Sequence, residues 1–162
     1  MWPDVFNKVC DDLLVVPFPT STEIMQKAAE FRYAISFDFT SWFHHFNMEP
    51  SFARFFAVKK QGRYFVPTSI PTGATQPPKF AHVLASAVAA RAIAIIQLRI
   101  AVDVFIDNVR FCSDNYEDLI RIRDVFLILC RELRIFVNED EYSRQPRTQY
   151  VFLGIAFDHV AA

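Results

Sequence analysis

Val102-Asp103-Val104-Phe105-Ile106-Asp107-Asn108-Val109-Arg110-Phe111-Cys112 decides the fold. Residues 102–106 and 109–112 are rich in β-branched and aromatic side chains, and Asp107-Asn108 between them is a tight-turn signal. Working outward, an Ala-rich helix precedes the hairpin, running to about residue 98 from the punctuated loop 69–78. A second helix follows it. Ser113, Asp114 and Asn115 are its cap candidates, and Leu119, Ile122, Phe126, Leu129 and Leu133 recur at helical spacing. Farther out lie a strand over Tyr33–Phe39, with Ile35, Phe37 and Phe39 on one face, and another near 135–137. The order is strand, long helix, strand, tight turn, strand, long helix, strand. That is an α+β, ferredoxin-like βαββαβ arrangement. Right-handed crossovers make the first two core strands parallel and place the third antiparallel between them. The end of the first strand, at Asp38, then shares one sheet edge with the turn at Asp107.

Other segments decorate this core. Residues 1–20 read as an irregular lead-in, with Pro17 and Pro19 blocking an early helix. Ser21 or Thr22 is placed to cap a helix to about Arg32. Glu49-Pro50 opens a short helix. Strands 55–60 and 63–67 form a hairpin around Gln61-Gly62, inside an insertion over 47–68. A final strand pair is expected over 150–157. The domain proper is residues 21–162.

The composition is that of a globular domain: 162 residues, 52% apolar, 22% charged, only 3 Gly, and 18 Phe to fill a core. A net charge of −1 announces no strong field toward nucleic acid or membrane. Cys10, Cys112 and Cys130 form neither a disulfide framework nor a zinc-ligand spacing, which fits a reducing, intracellular setting, cytoplasmic or nuclear. Asp4, Lys8, Asp11 and Asp12 interrupt any secretory leader. Arg91, Arg99 and Asp103 break the most apolar stretch, 83–106, so no membrane span is expected.

Two close carboxylates repel unless a positive charge lies between them, and oxygen ligands suit magnesium. Two such ions about 3.5–4 Å apart clamp the attacking and leaving oxygens of a phosphoryl displacement. The bland alternative is equally open at this point: Asp38 as a helix cap and Asp107-Asn108 as a plain turn.

The residues also carry a resemblance. Residues 33–46, Tyr-Ala-Ile-Ser-Phe-Asp-Phe-Thr-Ser-Trp-Phe-His-His-Phe, resemble the first palm motif of reverse transcriptases. Ile70-Pro71-Thr72-Gly73 with Gln76-Pro77-Pro78-Lys79-Phe80 resembles the second motif. Phe105-Ile106-Asp107-Asn108 resembles the aromatic-x-Asp-Asp hairpin. Phe152-Leu153-Gly154 resembles the palm–thumb junction strand, and Pro17-Phe18-Pro19-Thr20 the stretch upstream of the first motif. Within the family, Trp42-Phe43 and residues 106–111 look closest to tyrosine-recombinase retroelements, the VIPER-like elements of trypanosomatids.

The resemblance implies an RNA-directed DNA polymerase palm. Asp38 and Asp107 would hold two magnesium ions, with manganese as a substitute, and Asn108 would complete the catalytic turn. Main-chain groups of Phe39, Thr40, Ser41 and Trp42 would lie near the metal and the incoming deoxynucleoside triphosphate. Phe43 matches the steric gate against a ribose 2′-hydroxyl, or is a plain core aromatic. Thr72 and Gly73 would approach the nucleotide or template. Arg54, Lys59, Lys60 and Arg63 form a basic cluster on the fingers-side hairpin, suited to phosphates of an RNA or DNA template-primer or simply solvated. His44 and His45, as adjacent residues, point apart and make a poor metal pair.

The sequence also departs from the family. Asn108 stands where a second Asp is usual, and it supplies no negative charge. Thr72 replaces a Gln. Asn138 resembles the fourth-motif Asn, but Glu141 stands where a Lys is frequent, with Arg144 the nearest basic residue. Fingers and thumb regions are expected to be missing. These departures keep a second reading open, a non-catalytic palm that binds nucleic acid or protein. A third, a nucleotide cyclase on the same sheet, is disfavoured by the Pro-x-Gly and Phe-Leu-Gly segments.

Overall fold

The computed structural model describes residues 15–71 and 75–160. Its elements are α1 (Ser21–Ala29), β1 (Tyr33–Phe39), a 3-10 turn (Trp42–His45), α2 (Pro50–Ala53), a second 3-10 turn (Arg54–Phe56), β2 (Val58–Lys60) and β3 (Arg63–Phe65). They continue with α3 (Gln76–Ile96), β4 (Ala101–Phe105), β5 (Asn108–Ser113), α4 (Tyr116–Glu132), β6 (Val137–Asn138), α5 (Glu141–Arg144), β7 (Gln149–Phe152) and β8 (Ile155–Asp158). The main sheet has the order β4-β5-β1-β6. β5 is antiparallel to both β1 and β4, so β1 and β4 run parallel with β5 between them. This is the expected βαββαβ topology.

Alternation in β1 sends Ile35, Phe37 and Phe39 into the main core, where Val109, Phe111 and Phe126 meet them. The Phe37 and Phe126 ring centroids are 4.8 Å apart, and Phe111 meets Phe126 edge-on at 5.3 Å. Two helices cover this face. On α3, Ala81, Ala85, Ala89 and Ala92 are fully buried at near-helical spacing, and side chains this small allow close approach. On α4 the buried stripe is Leu119, Ile122, Phe126 and Cys130. By length and composition α3 suffices to cross a membrane, but here it is the core's second layer.

The opposite face is covered at one end only. There Ile24 of α1, Ala34, Cys112, Tyr150 and Phe152 form a second apolar cluster. Arg110, fully buried, ties that cluster together. Its Nη2 donates to the Ile24 carbonyl at 2.8 Å and to Asp103 at 2.5 Å, and its Nη1 donates to the Tyr150 hydroxyl at 3.3 Å. The guanidinium lies 4.8 Å from the Phe152 ring and 4.7 Å from the Phe157 ring. Lys27 pairs with the other Asp103 oxygen at 2.7 Å. The β7–β8 hairpin, a separate two-stranded sheet, is held to this face of the main sheet by these contacts and by the Ala34–Arg147 bridge.

Several local expectations are corrected. α1 is capped by Thr20, not Ser21 or Thr22: Thr20 Oγ1 accepts from the Glu23 N–H while Glu23 accepts from the Thr20 N–H, a reciprocal capping box. The helix ends at Ala29 rather than Arg32. Strand β2 is shorter than 55–60 because residues 54–56 coil into a 3-10 turn, and β3 ends at Phe65 rather than 67. Gln61 and Gly62 do make the turn, both with positive φ. The last strand of the main sheet is Val137–Asn138, displaced from 135–137. The segment carrying this small hairpin leaves and returns at one neck: Asn47 bridges Ser69, and the Met48 N–H donates to the Thr68 carbonyl at 2.9 Å.

Candidate active-site edge

The turn between β4 and β5 is displaced by one residue from the Asp107-Asn108 expectation. Phe105 pairs with Asn108, so Ile106 and Asp107 form the two-residue turn. Ile106 has φ 59°. A β-branched residue there costs of order 1–3 kcal/mol and persists only where the surroundings hold it. Part of that holding is visible: Ile106 packs against the main core, and its N–H donates to His82 Nδ1 at 3.3 Å.

The same topology brings Asp38 to this turn. The Phe39 N–H donates to the Asp107 carbonyl at 2.9 Å, so the two carboxylate-bearing segments are joined by backbone. Asp38 lies directly opposite Asn108 on β5 and opposite Asn138 on β6. Cross-strand partners share a face, so Asn108, Asp38 and Asn138 form a row across three strands. That row occupies the face turned away from α3 and α4, beyond the end covered by the second cluster. The reading of Asp38 as a helix cap is overturned: it is a strand residue, and the following 3-10 turn has Ser41 at its N-cap.

Electrostatics marks the edge as acidic. Burial, reinforced by Asp107 and Asp140 nearby, holds the Asp38 carboxyl above its ordinary range. Asp140 was not singled out by sequence; it sits at the α5 N-cap, accepting from the Tyr142 and Ser143 N–H groups at 2.8 and 3.0 Å. The Asn108 side-chain amide donates to Asp107 Oδ1 at 3.0 Å. Among the described residues no group of three His, Cys, Asp or Glu side chains gathers as a metal site. The donor set nevertheless fits magnesium, which is held by one or two carboxylates while water and substrate phosphates complete its shell.

The remaining candidates divide. Trp42 is buried with its indole N–H donating to the Ala81 carbonyl at 3.1 Å, so its ring is a core strut. Phe39 is also buried, its ring 4.6 Å from that of Trp42. The Thr40 N–H is engaged by the Phe136 carbonyl at 2.9 Å. Ser41 is exposed at the turn, with φ 54°. Phe43 is half-buried and packs against the main core. His45 packs on Trp42 and Phe136 at 5.6 and 5.5 Å. Thr72 and Gly73 lie outside the described residues, as does Cys10.

Arg54, Lys59, Lys60 and Arg63 are exposed on the 47–68 segment, away from the carboxylates along the chain. Lys60 and Arg63 face each other across β2 and β3, and Lys59 lies over the Tyr64 ring at 5.5 Å. Like charges directly opposite are unfavourable unless an anion joins them. Cys112 is buried, its thiol pushed up to about 12 by desolvation, and is no nucleophile.

No family model and no curated protein matches the chain. Solved structures do. The prototype foamy virus protease–reverse transcriptase, as its CSH mutant, matches with a TM-score of 0.64 at 17% identity, over 90% of this chain and 19% of that one. The foamy viral protease–reverse transcriptase in complex with RNA/DNA hybrid gives 0.65 at 16% identity, again over 90% and 19%. The native prototype foamy virus enzyme gives 0.60 at 17% identity, over 94% and 20%. The chain thus spans about a fifth of the length of these proteins. Its fold is the α+β, palm-like fold of reverse transcriptases.

Proposed function

We propose that this chain is the palm core of a retroelement reverse transcriptase, of the VIPER-like kind that its Trp42-Phe43 and 106–111 segments resemble. The observation that carries the reading is the convergence of Asp38 and Asp107 on one strained edge, where burial and then the Asp107 charge raise the proton affinity of Asp38. Asp38 and Asp107 would hold divalent magnesium, or manganese in its place. Bound there, the ions would neutralise the pair, bind triphosphate oxygens and activate a primer 3′-hydroxyl.

The chain's own residues have the following parts. Asn108 orients Asp107 through its amide and leaves the edge one charge poorer than an Asp pair would. Ser41, exposed three residues after Asp38, is free to face the incoming deoxynucleoside triphosphate. Phe43 acts as the gate against a ribose 2′-hydroxyl. The basic hairpin over 47–68 serves as the fingers-side contact to template-primer phosphates, with further fingers and thumb regions needed to close the groove. The RNA/DNA hybrid and double-stranded DNA seen with foamy viral enzymes support that choice of partner.

A second reading, a non-catalytic palm that binds nucleic acid, is favoured by one observation: Asn108, which supplies no negative charge, holds the β5 position directly opposite Asp38. Calorimetric titration of manganese with a deoxynucleoside triphosphate separates the two. Binding that is lost in Asp38→Asn and Asp107→Asn is expected for the polymerase palm. No binding by folded wild-type protein selects the second reading.

A further inference from the structure

We propose that His82 is a positioning residue for the Asp107 turn: its Nδ1 accepts the Ile106 N–H and fixes the backbone from which Asp107 departs. The reasoning starts at the turn. A two-residue hairpin needs positive φ at its first position, which Asn or Gly adopts freely. This chain places Ile there, so the conformation must be imposed from outside. The Ile106 N–H is the group through which it can be imposed, and a half-buried amide left without a partner would be costly. His82, buried on the first turns of α3, supplies the acceptor at 3.3 Å.

The imidazole is itself pinned. Phe18 lies 4.9 Å from its ring and 5.5 Å from Phe105, the residue that begins the turn. Phe18 therefore bridges His82 and Phe105 through two tilted ring contacts. Burial lowers the proton affinity of the ring, which keeps it neutral and Nδ1 able to accept. A helix on one face of the sheet thus reaches the turn that presents the carboxylate.

The consequence for metal binding rests on the reading of Asp107 given above, while the hydrogen bond does not. The experiment uses amide hydrogen exchange and the nitrogen-15 shift of Ile106 in the full chain, together with manganese titration. His82→Leu keeps the volume and removes the acceptor; His82→Asn places an oxygen near the position of Nδ1. The expected result is at least about tenfold faster exchange at Ile106 and about tenfold weaker manganese binding in His82→Leu, with His82→Asn restoring both to within about threefold. If His82→Leu does not fold, His82→Asn against His82→Gln, whose oxygen is one bond farther out, makes the same comparison. An Ile106 amide indifferent to the acceptor overturns the proposal. Absence of manganese binding in wild type would overturn the reading of Asp107 and leave the amide data to judge His82.

Discussion

Asp38 and Asn108 stand directly opposite each other on β1 and β5, and Asn108 in turn donates to Asp107. The asparagine is therefore a neutral spacer between two carboxylates at an edge that already has Asp140 as an acidic neighbour. Burial, Asp107 and Asp140 all favour the protonated form of Asp38.

A raised carboxyl in the fold means that ionised Asp38 opposes folding, increasingly as pH rises through its shifted value. Asp38→Asn is expected to raise the melting temperature of the metal-free protein at pH 7, by about 1–3 °C given solvent screening. The same variant should lose any stabilisation by manganese. Differential scanning fluorimetry with and without the ion measures both; a fall in the metal-free melting temperature would refute the electrostatic account.

Asn108→Asp should act in the opposite sense. A further acidic group at this edge is expected to cost about 0.5–1 kcal/mol in the metal-free protein, the scale of like charges across strands. Divalent ion affinity should rise severalfold. Urea unfolding and calorimetry on the one variant test both directions.

Asp103 neutralises the buried Arg110, so Asp103→Asn is expected to cost about 3–5 kcal/mol by leaving an uncompensated buried charge. Asp103→Leu combined with Arg110→Met should recover most of the loss. Urea denaturation of the single and double variants reads the coupling directly.

Burial lowers the proton affinity of His82 below its ordinary value of 6.5. Its contribution to stability is then fully present above that value and is lost as pH falls through it toward the depressed one. Stability should decline as the pH falls through about 6.5 and below, and less steeply in His82→Asn. The slope should not vanish, because burial and the nearby Arg110 lower His159 in the same way.

Lys60→Glu should stabilise the small hairpin by about 0.2–1 kcal/mol, since it turns the Lys60–Arg63 repulsion into a pair. It should also weaken binding to an RNA/DNA hybrid and reduce the salt dependence of that binding by about one phosphate contact. Fluorescence anisotropy over a salt series checks the second effect.

The core topology was legible because alternation in residues 33–39 and helical spacing on 119–133 are strong periodic signals. The convergence of Asp38 and Asp107 followed from topology alone. The turn register did not: Asp107-Asn108 has the better turn chemistry, whereas the observed turn starts at Ile106, which packs half-buried against the core and donates to His82. Arg110 lies in a strand and gives no sequence sign of burial; its partners on α1, β4 and β7 come from distant segments. Asp140 was overlooked because a cap residue looks local, while its charge acts on a strand residue far along the chain.

The neck at Asn47 and Ser69 has a consequence for how such a chain changes over generations. Because the segment's two ends meet, its length is decoupled from the sheet that carries Asp38 and Asp107. Insertions, deletions or whole replacement between these residues leave the palm's strand order untouched. The neck is a graft point, where new binding surfaces can be exchanged while the carboxylate edge is inherited intact.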